Sequence, residues 1–132
     1  MEIILVYIIL KFFERLNSIL DKLTKENCNF ILVGDFNINI LKEDDPSTRM
    51  FNSILSSHNA NIMVKRPTRI THLSSTCIDN ILTNLQGESD IIHSHVSDHT
   101  AQTFRFYCGV FESHVVENLI IFSTTWLSNT PQ

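Results

Sequence analysis

Asp35 and Asn37 stand two positions apart just past an apolar run, Phe30-Ile31-Leu32-Val33, that Gly34 interrupts. On a chain that is still extended, residues so spaced point the same way, and a carboxylate and a carboxamide can then address one bound atom. A second group is Ser97-Asp98-His99. There an anionic metal ligand adjoins an imidazole that donates to a phosphoryl oxygen when protonated. The third is Asp79, a carboxylate within the otherwise apolar stretch from Cys77 to Leu82. Buried in a strand it needs a partner, and a histidine N–H is a suitable one. The division of labour that follows puts Asp98 on a hard divalent cation, His99 on a phosphoryl oxygen, Asp79 behind His99, and Asp35 with Asn37 on a water. That is the equipment of metal-assisted phosphodiester hydrolysis.

These groups require elements to hold them. Phe30 to Val33 reads as a buried strand ending in a cleft, where open sheets place their ligands. Upstream, Ile3 to Leu10 is rich in isoleucine and is expected to be another buried strand, with Tyr7 its polar tip. Phe12, Phe13, Leu16, Ile19, Leu20 and Leu23 then recur at helical spacing over about Lys11 to Lys25. No turn or capping residue separates this strand from this helix, which suggests a lost connecting loop. Asp45-Pro46 starts a second helix that carries Met50, Phe51, Ile54 and Leu55 and ends near Asn59. Short strands are expected at Ile62–Val64, Cys77–Leu82, Asp90–Val96 and Thr103–Cys108, with a basic loop, Lys65-Arg66-Pro67-Thr68-Arg69, between the first two. The order defines a mixed α/β or α+β class.

Composition sets bounds. The chain has 132 residues, is 43% hydrophobic and 18% charged, and can bury the core of one domain. A net charge of −4 provides no general attraction to a polyanion, so any nucleic-acid role must rest on a local patch. The 3 cysteines, Cys28, Cys77 and Cys108, are widely spaced and odd in number, which points to reduced thiols and an intracellular, nuclear or cytoplasmic setting. The apolar start is too short to span a bilayer and lacks a basic flank, so neither a signal peptide nor a membrane helix is read there.

Gly34-Asp35-Phe36-Asn37, Pro67-Thr68-Arg69, Thr76-Cys77-Ile78-Asp79-Asn80-Ile81-Leu82 and Ser97-Asp98-His99, in this order, resemble the endonuclease/exonuclease/phosphatase superfamily. Within it the sequence is most similar to the apurinic-endonuclease-like domains of non-LTR retrotransposons, over about Phe12 to Phe106. The resemblance implies a partial four-layer α/β/β/α sandwich of the DNase I-like type, with 1–108 as the C-terminal part of the domain and 109–132 as an unassigned tail. It implies a DNA-nicking endonuclease that uses Mg²⁺ or Mn²⁺ and leaves a 3′ hydroxyl. Carried over by position, Asp35 is the water-positioning residue and Asn37 its companion on the phosphate. Asp79 orients the histidine, Asp98 is the metal carboxylate and His99 binds the phosphate. Tyr7 falls near the place of a family tyrosine, although the loop that follows it in the family is missing.

The family also carries an Asn on its first strand and a metal-binding Glu on a later one, for which this sequence has no counterpart. An inactive remnant or interaction fragment is therefore the alternative, with self-association through an uncovered sheet face. A phosphatase of the same superfamily is a third reading. Lys65, Arg66, Arg69 and Thr76 are the candidate substrate contacts, and the basic loop favours DNA. His93 and His95 share a strand face, but no zinc spacing accompanies them with Cys108 or His114.

Overall fold

In the computed structural model the backbone is described for residues 2–93, 97–106 and 119–124, and the side chains for 10–93 and 97–106. The expected strand at Ile3–Leu10 is absent. Helix α1 runs unbroken from Glu2 to Lys25. The isoleucines favour a strand locally, but propensity is a weak prior, and once a helix is nucleated each further residue adds a hydrogen bond at little cost. The missing turn residues thus mark continuity of one helix rather than a lost loop. Tyr7 lies on this helix, and its side chain falls outside the described residues.

Both helices are closed by the same device. After α1, Asn27 takes a left-handed φ of 52°, Cys28 N donates to Leu23 O at 3.0 Å and Asn27 N to Thr24 O at 3.2 Å. Helix α2, Pro46–Ser57, ends with Asn59 at φ 54°, Ala60 N on Leu55 O at 2.9 Å and Asn59 N on Ser56 O at 3.3 Å. These paired bonds satisfy carbonyls that a helix end would otherwise leave bare, and asparagine tolerates the left-handed turn. At the other end of α2 the Asp45 carboxylate accepts from Ser47 N and Thr48 N. Asp45→Ala is expected to cost about 1 kcal/mol, read as a lowered urea midpoint with an unchanged slope.

Strands β1 (Asn29–Asp35), β2 (Asn61–Ile62), β5 (Asp79–Thr83) and β8 (Leu119–Thr124) form a four-stranded sheet in the order β2-β5-β1-β8. Strand β5 is antiparallel to β1 and β8 parallel to it. Part of the stretch 109–132 therefore belongs to the main sheet. Two small antiparallel pairs complete the fold: β3 (Arg69–Ile70) with β4 (Ser75–Thr76), and β6 (Gly87–Ile92) with β7 (Ala101–Phe106). A side chain at Gly87 would collide with the Arg105 carbonyl and the Phe104 ring, so glycine lets the second hairpin close. The class is α+β.

Alternation along β1 divides its side chains between two cores. Phe30 and Leu32 meet Phe12, Phe13, Leu16, Leu20, Phe51 and Leu55 of the helices. Ile31 is buried on the other side with Val64, Cys77 and Ile81, and Ile91, Phe104 and Phe106 of the β6–β7 hairpin pack against that cluster. Over the described side chains of β1 and β5, the sheet face expected to stand uncovered is thus packed against the hairpin, which supplies the apolar layer that burial demands. No helix among the described residues is long and apolar enough to cross a membrane.

Candidate functional site

The register of β1 against β5 places Asp35 directly across from Asp79. Cross-strand partners share a face, and like charges so placed oppose folding. These carboxylates extend the face of Val33 and Ile81 beyond the apolar layer. Burial raises the pKa of Asp35 above the ordinary carboxylate value, a hydrogen bond from Asn37 N draws it back, and the charge of Asp79 raises it further.

His99 reaches the pair by a chain of backbone bonds. Residues 98–100 lie along β3: Ile70 N donates to Asp98 O at 2.8 Å, Thr100 N to Thr68 O at 2.7 Å, and Arg69 and His99 form an antiparallel bridge. Strand β3 is in turn tied to β4, with Thr68 N on Thr76 O at 2.8 Å. The result brings His99 Nδ1 to 2.9 Å from Asp79 Oδ2. A carboxylate only accepts, so Nδ1 carries the proton and Nε2 is the ring nitrogen left for a ligand. The Asp79 carboxylate is only 13% exposed, which excludes much of the competing water. Donor atoms of Asp35, Asp79 and His99 all lie within 4.8 Å of one another.

Several expectations are corrected. Asn37 does not continue the strand: it has a left-handed φ of 54°, and its backbone N–H bonds Asp35 Oδ1 at 2.9 Å. The pair forms a side-chain-to-backbone turn instead of two parallel side chains, as asparagine and aspartate favour past a strand end. Asp98 is outside the three-residue cluster, its Oδ2 accepting from Arg69 Nε at 2.8 Å. That bond holds its carboxyl below the usual range. Arg66 is likewise engaged, by Asp90 at 3.1 Å. Lys65 is exposed and borders a groove with Ile40, Glu43 and Leu55 that shares no lining residue with the cluster. The basic loop is thus largely neutralised by its own acidic neighbours. Thr76 contributes its backbone to β4 and its carbonyl to Thr68.

Two side chains that sequence reasoning gave no role hold the site together. Thr68 is fully buried, and its Oγ1 accepts from both Ile78 N and Asp79 N at 3.1 Å. With its backbone on Thr76 and Thr100, this residue joins the start of β5 to the segment bearing His99. Asn39 Oδ1 accepts from Leu41 N and Cys77 N, fastening the loop after Asp35 to the approach of β5. Polar residues in a loop rarely announce such roles, since their partners are remote in sequence. Burial, aided by the Asp79 charge, pushes the nearby Cys77 thiol up to about 11, so it is protonated and inert at neutral pH.

No protein-family model matches this sequence, and neither a curated protein nor a solved structure is significantly similar to it.

Proposed function

We propose that the chain is a metal-dependent phosphodiester hydrolase, a DNA-nicking endonuclease domain of retrotransposon type whose strands and helices belong to a DNase I-like sandwich. The observation that carries this reading is the meeting of Asp35, Asp79 and His99 from three separate parts of the sequence, with the imidazole fixed by Asp79 at 2.9 Å. The ordered motifs of the superfamily supply these same residues.

The donor set suits a hard cation, because Mg²⁺ takes one or two carboxylates and fills its remaining positions with water and substrate phosphate. Held by oxygens of Asp35 and Asp79, Mg²⁺ or Mn²⁺ would supply positive charge beside the phosphoryl group. Asp79 holds the Nδ1–H of His99, and the imidazole, when protonated, donates from Nε2 to a phosphoryl oxygen. Asp35, through the carboxylate oxygen not on the cation, accepts the proton of the attacking water. The pairing of Arg66 with Asp90 and of Arg69 with Asp98 favours, as a second reading, a compact phosphorylated substrate over a long duplex.

Conversion of supercoiled plasmid to relaxed circles in Mg²⁺ tests the proposal. The wild-type chain should nick, and His99→Ala and Asp79→Asn should not. Equal nicking by all three would mean that the cluster is not the source. A wild type inert on plasmid but active on a small aryl phosphate would select the second reading.

A further inference from the structure

The superfamily resemblance assigns Asp98 to the metal, but the structure pairs it with Arg69. Two features make this pairing more than a surface contact. First, Arg69 and Asp98 sit on adjacent backbones held in register by the Ile70 N to Asp98 O bond and by the Arg69–His99 bridge. The bridge sets Arg69 across from His99, and its guanidinium reaches the neighbouring Asp98 carboxylate. Second, Asp98 takes only Nε of the guanidinium, at 2.8 Å, and the Nη edge has no hydrogen bond to the described residues. That edge is the fork that matches two oxygens of a phosphate.

A phosphodiester entering beside Asp35 and Asp79 meets two carboxylates and needs a cation to offset them. Besides His99, Arg69 is the basic side chain among the described residues whose charge is felt by Asp35. Building on the phosphodiesterase reading, we infer that Arg69 is the anion subsite for the non-bridging oxygens of the diester, and that Asp98 is a positioning residue holding its guanidinium, not a ligand of the cation. The pair is 46% and 41% exposed, so it contributes little to stability. Its consequence is orientation: with Nε committed, the planar fork can turn only with the carboxylate. Lysine, a point charge with no fork, does not substitute.

The test uses the full chain in EDTA with a thymidine dinucleotide as probe, its Kd read from the backbone amide shifts of His99 and Thr100. Asp98→Asn and Arg69→Lys should each weaken binding about tenfold, and the double variant should be no weaker than either, since the two act as a unit. A second measurement titrates Mn²⁺ alone by electron paramagnetic resonance. Asp98→Asn should keep the wild-type affinity and Asp79→Asn should lose it. The inference is overturned by a wild type that binds no dinucleotide, by single variants that bind it normally, by additive losses in the double variant, or by loss of Mn²⁺ in Asp98→Asn. None of these readouts needs turnover. A chain that fails to nick DNA yet shows the coupled dinucleotide losses would refute the hydrolase reading and leave the Asp98–Arg69 assignment standing.

Discussion

Asp35→Asn is expected to lower the nicking rate by about 10²–10⁴-fold while leaving the fold at least as stable at neutral pH. The two effects have one origin. Asp35 faces Asp79 across the β1–β5 ladder and is partly desolvated, which raises its pKa in the folded chain. A carboxyl whose folded pKa lies above its unfolded one gives stability that is full below the unfolded pKa and lost as pH rises through the folded one. Once the pH has risen through that folded pKa the contribution is gone, and like charges across the ladder oppose folding. Asparagine is close in shape, keeps a side-chain oxygen for the bond from Asn37 N, and removes the charge. It also removes the base, so stability and activity move in opposite directions. Urea titrations of both proteins at acidic and neutral pH, beside plasmid nicking, check this. A variant less stable than wild type at neutral pH would contradict the electrostatic account of the site.

What sequence could reveal depended on how local each determinant is. Helix α2 was legible at both ends because Asp45-Pro46 and Asn59 act on the backbone within a few residues of themselves. The β1 strand was legible as an apolar run with a break. Residues 3–10 carry no readable period because the segment is almost wholly apolar, so its β-branched composition favours a strand where the chain forms a helix. The reliable signal there was the absence of any breaker before Lys11. At the site, a carboxylate in an apolar strand demands a partner, which made Asp79 and a histidine recognisable as neighbours. The ties from Thr68 and the capture of Asp98 by Arg69 depend on β3 lying along residues 98–100. That pairing joins segments roughly thirty residues apart, and two strands so short leave no pattern from which it could be read.

Phe51→Ala is expected to destabilise the chain by about 3–5 kcal/mol, a large part of what a domain of this size has to lose. Phe51 is fully buried in the middle of α2, and its ring centroid lies 5.7 Å from that of Phe36 and 6.4 Å from that of Phe12. With Phe12 and Phe36 themselves 6.2 Å apart, the three rings join both helices to the end of β1. Truncation removes the ring that both helices share with the sheet, and rigid neighbours cannot collapse into the space. The loss should appear as a lower urea midpoint with an unchanged slope. Phe36 immediately follows Asp35, so the cavity would open beside the residue that aims the candidate base. Activity in the folded population should therefore fall as well, by a factor that Asp45→Ala, at the far end of α2's own cap, does not share. A Phe51→Ala chain with near-normal stability would show that the helices are not anchored to the sheet through this cluster, and the placement of Asp35 would need another cause.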